Sequence, residues 1–302
     1  MDVLAYRLYA YQFTYHTAYI YSGIACQCPK DRVQGGDTRM LSGKRILVSG
    51  VATGESIAAA VAEKALSLGA EIIVAAYPRH AATAEETVRS FSGLSEVPVL
   101  PLDATSESDL LRLETEIQER WGYLDGALHA IAFAPQAALD AIMGVPSSDV
   151  EMAIRSSVWT YSAFGRLLYN LAPSSGASLV GLDFDSSKVW PVYNWMGPCK
   201  AALRSLNGYL ARDLGEKHIR ANLVAAGPIH TRASSGIPSF NVLVDAWNCQ
   251  SVLNWDPTDT HAVADSVCFL LSDFAQSISG EVLHVDGGVH AMATHLRELP
   301  ES

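Results

Sequence analysis

Hydrophobic residues from Lys44 onward follow two alternating patterns. Short apolar runs rich in β-branched residues predict strands, and longer stretches with apolar positions three or four apart predict amphipathic helices. The strands are predicted at 45–49, 71–76, 97–102, 125–131, 177–183, 219–225 and 281–285. The helices are predicted near 56–68, 82–92, 106–121, 147–171, 193–216 and 258–272. Strands that alternate with helices pair in parallel through right-handed crossovers. The order therefore predicts one α/β domain, a Rossmann-like, doubly wound parallel sheet of about seven strands with helices on both faces.

The start of the chain does not follow this pattern. Six tyrosines stand between Tyr6 and Tyr21, no strand or helix period is visible, and the basic start and apolar centre of a secretory signal are missing. We interpret 1–39 as an extension outside the fold, 40–292 as the Rossmann-type domain, and 293–302 as a C-terminal tail.

Composition and charge exclude some partners. The 302 residues are 49% hydrophobic and carry a net charge of −11, which argues against nucleic acid, whose backbone needs a basic surface. No apolar run approaches the roughly 18 residues of a membrane span, so we expect no membrane insertion. The five cysteines are sparse and odd in number, which favours a reducing cytoplasm. Cys26 and Cys28 lack the second Cys or His pair of a zinc site, and we expect no metal.

The first strand leads into a turn that suits a nucleotide. Gly50 is followed after five residues by Ser56, then Ile57 and Ala58 at the start of a helix. A glycine lets the backbone turn tightly and approach a pyrophosphate, and the helix N-terminus offers free N–H donors. The alternative is an ordinary strand, turn and helix in which Ser56 is only the helix cap.

Three more segments follow the carboxyl ends of predicted strands, where ligands of such sheets bind. Asp103 is placed to accept a hydrogen bond from an adenine amino group, although an Asp there could also begin a helix. The small residues of 131–134 could lie against a ribose or simply pack tightly. Tyr77 could stack on adenine. No acidic residue stands beside it for a ribose 2′-hydroxyl, and Arg79 could meet a 2′-phosphate, so NADH and NADPH both stay open.

Tyr193 and Lys200 form the predicted chemical centre. Their spacing of seven residues, two helical turns, predicts that both lie on one face of a helix beginning near 193. Because the reference pKa of tyrosine is about 10, a nearby ammonium would tune it as a proton donor. The same spacing occurs in ordinary amphipathic helices, but its place after a buried fifth strand favours the catalytic interpretation.

A turn at 225–231 follows the sixth strand. Its backbone at Ile229 could hold a nicotinamide carboxamide and the Thr231 hydroxyl a pyrophosphate, although a Gly-Pro pair such as Gly227-Pro228 also simply ends strands. Residues 232–256 are apolar in patches without a clear period, and we interpret them as an irregular lid.

These motifs resemble the short-chain dehydrogenase/reductase superfamily and, within it, the enoyl-[acyl-carrier-protein] reductases of fatty-acid synthesis. The resemblance covers residues 41–292 and is strongest to the mycobacterial, mycolate-pathway type. It rests on Gly50-x5-Ser56-x-Ala58, Gly181-x-Asp-Phe184-Asp, Tyr193-Asn-Trp-Met196-x3-Lys200, Asn222-Leu-Val-Ala-Ala-Gly-Pro-Ile229 and Asp286-Gly-Gly288.

The resemblance implies that NADH delivers hydride to C3 of a trans-2-enoyl thioester carried by acyl carrier protein or CoA. Tyr193 would stabilise the resulting enolate, Lys200 would hold the nicotinamide ribose, and Phe184 would flank the hydride path. Met196 and Trp190 would line the acyl pocket. Cofactor contacts are implied for Gly50, Ser56, Ile57, Tyr77, Asp103, Ala104, Ile131, Ala132, Lys200, Ile229 and Thr231. A cytoplasmic homotetramer is also implied.

Departures from the mycobacterial pattern concern the substrate. The segment from Thr231 to Trp247 is shorter than the long mycobacterial loop, and Trp190 is bulkier than the family residue, so very long acyl chains are in doubt. Two alternatives stay open. A short-chain dehydrogenase acting on carbonyls normally carries Ser thirteen residues before its Tyr, where Val180 stands here. A catalytically silent NAD(P)-sensing regulator would not need Tyr193 and Lys200.

The interpretation of 1–39 predicts that a chain beginning at Met40 folds and keeps its activity, because the ordered pattern begins there. Thermal unfolding and turnover of the shortened and full-length proteins would be compared. Loss of folding or of activity on shortening would contradict the interpretation.

Overall fold

The computed structural model describes residues 39–91 and 97–294. The Cys26/Cys28 pair, nearly all of the predicted extension and most of the predicted tail lie outside the described residues. The domain bounds therefore stay predictions.

A parallel sheet forms the centre of the described domain. Its strands are β1 (Arg45–Ser49), β2 (Glu71–Ala76), β3 (Val99–Pro101), β4 (Gly126–His129), β5 (Ala177–Asp183), β6 (Ile219–Ala226) and β7 (Val282–Val285). They lie in the order β3-β2-β1-β4-β5-β6-β7, and every neighbouring pair is parallel. The predicted α/β fold is confirmed.

Helices cover both faces of this sheet. They are α1 (Ile57–Ser67), α2 (Ala81–Ser90), α3 (Glu107–Trp121), α4 (Gln136–Asp140), α5 (Ser147–Ile154), α6 (Thr160–Leu171), α7 (Met196–Leu214), α8 (Asn241–Gln250) and α9 (His261–Leu271). Among the helices of the described ranges, none is long and apolar enough to cross a membrane.

Successive strand residues enter opposite cores, as the two-residue period of a strand requires. Ile46 and Val48 of β1 pack with α1, α2 and α9, while Leu47 between them packs with α3, α6 and α7. Both faces are apolar because both are covered, which explains the near-continuous hydrophobic runs in the strand sequences.

Three helical details differ from the prediction. The predicted helix 147–171 is interrupted by a π-helical turn at Arg155–Trp159, and the short helix α4 was not predicted. The segment 232–256, predicted to be irregular, contains α8. The buried residues Leu243 and Trp247 of α8 anchor it to the rest of the domain.

β1 and β4 are neighbours in the middle of the sheet. After β1 the chain continues to β2 on one side of this pair, and after β4 it continues to β5 on the other side. Such a switch point opens a crevice at the carboxyl ends of the strands. Gly50 lies there with a φ of +90°, and a Cβ at this position would collide with the carbonyl oxygen of Ala130. The turn therefore requires glycine for conformation and for space.

Gly50→Ala should destabilise the fold by about 2–4 kcal/mol, because the added methyl is overpacked against backbone and the left-handed φ is strained. Gly54→Ala is the matched control: it lies in the same turn, and its Cβ would meet nothing within 4 Å. Chemical denaturation of both variants measures the difference. Equal stabilities would show that Gly50 is not required for conformation.

Candidate active site

A cleft of about 1290 Å³ lies at the carboxyl edge of the sheet. Its volume exceeds the roughly 300–1,000 Å³ of ordinary ligand pockets, which leaves room for a dinucleotide and a second molecule. Most predicted site residues line it: Gly50, Ile57, Tyr77, Asp103, Ala104, Ile131, Ala132, Phe184, Tyr193, Met196, Lys200, Ile229 and Thr231. Ser56 and Trp190 do not line it.

Ser56 is committed to the helix that it begins. Its hydroxyl oxygen accepts from the Ala59 amide at 3.2 Å, and its hydrogen goes to the Thr53 carbonyl at 2.8 Å. The side chain of Ser56 therefore caps the helix, as the alternative interpretation of the sequence predicted. Its role in binding the cofactor stays a prediction. Ile57, the first residue of α1, lines the cleft beside Gly50.

The end of the cleft where adenine is predicted to bind is open. Tyr77 follows β2 with 47% of its surface exposed, as a ring available for stacking would be. One carboxylate oxygen of Asp103 already has hydrogen-bond partners, because it accepts from the amide and the hydroxyl of Thr105 at 2.9 and 2.7 Å. No hydrogen bond to its second oxygen is present within the described ranges, so that oxygen is available to a ligand amine.

Thr231 keeps a free hydrogen for a ligand. Its hydroxyl oxygen accepts from the Ser234 amide at 3.2 Å, and its own amide donates to the Ser234 hydroxyl at 2.8 Å. This reciprocal cap fixes the side chain while leaving the hydroxyl hydrogen to donate to an anionic group. Ile229 is buried at the same wall of the cleft.

Tyr193 lies in a strained turn, not in a helix as predicted, because α7 begins three residues later at Met196. Val192 and Asn194 on either side have φ values of +60° and +37°. Non-glycine residues are costly there and persist only when the surroundings hold them. The side-chain amide of Asn194 donates to the Leu139 carbonyl at 2.7 Å. Leu139 belongs to α4, so this unpredicted helix supports the turn.

Lys200 lies in the second turn of α7 and is buried. Its ammonium donates to the Leu182 carbonyl at 2.8 Å, at the end of β5, which leaves two of its three hydrogens for a ligand. Burial lowers the pKa of Lys200, and the nearby Asp183 carboxylate opposes that shift.

The hydroxyl of Tyr193 stays protonated. Burial, followed by the negative charge of Asp183, raises the pKa of Tyr193 far above its usual value. The expectation that Lys200 tunes Tyr193 as an acid stays a prediction, because the causes of the raised pKa of Tyr193 are burial and nearby negative charge. Within the described ranges no group accepts from this hydroxyl, so it can donate a neutral hydrogen bond into the cleft.

Phe184 is held over Tyr193 by other aromatic rings. Its centroid lies 4.8 Å from that of Tyr193 and 5.4 Å from that of Trp247, which is 1% exposed. Trp190 packs at 5.8 Å from Phe184 and donates to the Asp185 carbonyl at 2.6 Å. Trp190 thus supports Phe184 from outside the cleft, and its predicted substrate contact stays a prediction.

Comparison with known protein families identifies the family of this chain. The family profile described as "Enoyl-(Acyl carrier protein) reductase" matches residues 50–290, which span the cleft from Gly50 to the last strand. The chain belongs to this family.

Curated members of the enoyl-(acyl carrier protein) reductase family match most of the chain. An "Enoyl-[acyl-carrier-protein] reductase [NADH]" of Mycolicibacterium smegmatis is 35% identical over 267 residues, covering 83% of this chain and 97% of the relative. FabI enzymes with the same name from Aquifex aeolicus and Escherichia coli are each 34% identical, covering 86% of this chain and 96% and 98% of the relatives. The family predicted from the motifs is confirmed.

Asp183 is a site residue that the sequence did not single out. It ends β5, lines the cleft and is 5% exposed, yet neither carboxylate oxygen has a hydrogen-bond partner of good geometry in the described part of the chain. Burial raises the pKa of Asp183 to about 6, against the lowering effect of Lys200. The sequence contained a signal, because an Asp directly before Phe184 ends a largely apolar strand.

His129 is a second buried group near this centre. Its Nε2 lies 2.8 Å from the Thr160 hydroxyl, whose hydrogen goes to the Ser156 carbonyl, so Nε2 carries the proton. Burial lowers the pKa of His129 to about 3, and Lys200 adds to the effect. The imidazole is therefore a neutral part of the core rather than an acid or base.

Asp183→Asn should stabilise the protein at pH 8 by on the order of 1–3 kcal/mol, and by much less at pH 4. The pKa of Asp183 in the folded protein, about 6, lies above its usual value of 3.8, so the folded state holds the proton to higher pH. The contribution of Asp183 to stability therefore falls as pH rises between these values and stays unfavourable above them.

Urea denaturation at both pH values measures this difference, with Asp245→Asn on the exposed face of α8 as the control. An equal gain at pH 4 and pH 8 would mean that the charge of Asp183 is not what costs stability.

Proposed function

We propose that this protein reduces the trans-2 double bond of an enoyl thioester on acyl carrier protein, using NADH, in fatty-acid elongation. The observation that carries the proposal is the neutral hydroxyl of Tyr193, which opens into the cleft beside Phe184 and Lys200. The curated relatives are NADH-dependent enoyl reductases by name.

The residues present fit the cofactor. Gly50 admits a pyrophosphate to the backbone, the α1 N-terminus and the Thr231 hydroxyl offer donors, and Lys200 has two hydrogens for ribose hydroxyls. When bound, NADH supplies the hydride that goes to C3 of the substrate.

Tyr193 donates a hydrogen bond to the thioester carbonyl in this proposal. Charge develops on that oxygen as C3 is reduced, and a donor fixed in advance in a buried site stabilises it most. The raised pKa of Tyr193 keeps the hydroxyl protonated, and therefore a donor, across the neutral range. Phe184 closes the hydride path above Tyr193 and excludes water from it.

The acyl chain has an apolar wall to follow. Leu139, Met196, Ile237, Phe240 and Leu243 line the cleft near Tyr193, and three of them belong to the segment around α8. This wall suits a hydrocarbon rather than a polar substrate.

Carrier, assembly and location are the finer parts of the proposal. Acyl carrier protein is the proposed carrier, with a CoA thioester as the second candidate. We also propose a cytoplasmic homotetramer, as in the family. The buried thiols of Cys199 and Cys268 are consistent with a reducing compartment.

A carbonyl reductase is the alternative, and one observation disfavours it. Val180, at the position where that class carries its serine, is fully buried in β5 and does not reach the cleft. No second donor is therefore present there for a ketone oxygen.

Oxidation of NADH with crotonyl, octenoyl and dodecenoyl thioesters tests the proposal, each presented on acyl carrier protein and on CoA. A panel of ketones provides the comparison. Turnover of ketones without turnover of enoyl thioesters would overturn the assignment.

Tyr193→Phe should lower kcat by about 10²–10³-fold while leaving NADH binding intact, because one donor to the developing oxyanion is removed. Tyr123→Phe, at the opposite edge of the sheet where its ring packs under Arg45, is the control. Steady-state rates and NADH titration separate the two effects. An unchanged kcat in Tyr193→Phe would remove the proposed role.

A further inference from the structure

Two histidines lie stacked at the last strand of the sheet. His284 belongs to β7, and His290 belongs to the short helical turn Val289–Ala291 that follows it. Their rings are almost parallel, with centroids 4.1 Å apart. Neither histidine lines the cleft. Any effect of the pair on the proposed reaction must therefore pass through other residues.

Each ring faces an almost fully buried carboxylate. His290 Nδ1 lies 3.0 and 3.1 Å from the two carboxylate oxygens of Asp286, so this nitrogen carries a proton and donates it. His284 Nε2 lies 3.7 Å from an oxygen of Asp185. Arg204 of α7 donates to this nitrogen at 3.2 Å and lies 3.4 Å from the same carboxylate oxygen. The neutral ring of His284 therefore accepts from Arg204 and carries its hydrogen on Nδ1.

The backbones of the two carboxylate residues hold the aromatic rings that support Phe184. The indole of Trp190 donates to the Asp185 carbonyl at 2.6 Å, and the indole of Trp247 donates to the Asp286 carbonyl at 3.0 Å. The two indoles contact each other, with centroids 4.6 Å apart, and each contacts Phe184. The histidine pair is thus joined to Phe184 by two separate hydrogen-bonded paths.

Charges of both signs surround the ring of His284. Burial, and then the neighbouring His290, lower the pKa of His284, and the nearby carboxylates oppose this shift. The ring is therefore neutral at neutral pH. The charged and titratable side chains that face the pair come from three parts of the chain: Arg204 of α7, Asp185 and Lys188 beyond β5, and Asp286 with His290 beyond β7.

Protonation of His284 in acid would change this arrangement. The ring nitrogen could no longer accept from Arg204, and the charged ring would compete with Arg204 for the carboxylate of Asp185. It would also repel His290 across the stack, because two like charges would then lie in contact. Both changes act on the two segments whose carbonyls hold the indoles.

We propose that the stacked pair of His284 and His290 positions Phe184 for hydride transfer. The pair acts through the backbone segments that hold Trp190 and Trp247, and it touches neither substrate nor cofactor. It holds Phe184 in place while His284 is neutral, and the hold weakens when His284 is protonated. The inference rests on the proposed enoyl reduction and names residues that serve it from outside the cleft.

Enoyl reduction by the full-length protein tests the inference, with NADH and a dodecenoyl thioester between about pH 5.5 and pH 8.5, the range in which histidine titrates. We expect kcat to fall about tenfold on the acid side as His284 takes up a proton, because a displaced Phe184 misaligns the hydride path. The KM for NADH should change by no more than about threefold, since the pair lies outside the cleft.

Two variants separate the pair from a general effect of acid. In His284→Gln the side-chain oxygen can still accept from Arg204 but takes up no proton, so kcat at pH 8 should be kept and the acid fall lost. In His290→Asn, which keeps a donor toward Asp286, the fall should move to higher pH, because His290 lowers the pKa of His284. His261→Gln, at the exposed start of α9, is the matched control and should behave as the native protein.

The indole N–H signals in NMR spectra provide a readout that needs no substrate. The signals of Trp190 and Trp247, assigned from Trp190→Phe and Trp247→Phe, should move with pH together with the native kcat and stay constant in His284→Gln. Signals that do not move, a native kcat that is flat with pH, or an acid fall unchanged in both variants would each overturn the inference. Moving signals without enoyl reduction would overturn the proposed function rather than the link from the pair to Phe184.

Discussion

The parallel pairing of β4 with both β1 and β5 is the constraint on which the site depends. Because all three strands run in one direction, their carboxyl ends lie at one edge of the sheet. That edge brings together Gly50, Ile131 and Asp183, which are far apart in sequence. The close approach of the Gly50 turn to the Ala130 carbonyl then sets how tightly the two halves of the cleft join. Gly50 and Ile131 lie just beyond the strands that position them, and Asp183 ends its strand.

The sheet could be predicted from the sequence because both of its faces are covered. Strands buried on two sides read as continuous β-branched runs, and β1, β2 and β5 begin and end at the predicted residues. The same signal placed most site residues, since ligands of this architecture bind just beyond strand ends. Ser56 shows where the signal stops. Its hydroxyl suits a helix cap and a phosphate contact equally well in sequence. The structure shows the cap, through the bond from the Ala59 amide, and the phosphate contact stays a prediction.

Tyr193 was misplaced for a different reason. A spacing of seven residues places two side chains on one helix face only if the backbone between them is helical throughout. The positive φ values at Val192 and Asn194 show that the backbone around Tyr193 is not helical. Those values depend on the contact of Asn194 with Leu139, which is distant in sequence and has no local signal. The helix α8 was missed for a related reason. Trp247 packs against Phe184 and donates to the Asp286 carbonyl, and Leu243 belongs to the same apolar cluster. The apolar pattern of α8 therefore reflects several partners at once.

The two ends of the cleft obey different electrostatics. Around Tyr193 the groups are buried, and the cost of removing charge from water decides their protonation. Burial raises the pKa of Tyr193 far above its usual value, and it raises the pKa of Asp183 to about 6 in spite of Lys200. Around Arg79 and Arg232 the side chains are exposed, so their charges are hydrated and screened by salt. The protonation states on which the proposed chemistry depends are therefore set where desolvation is largest.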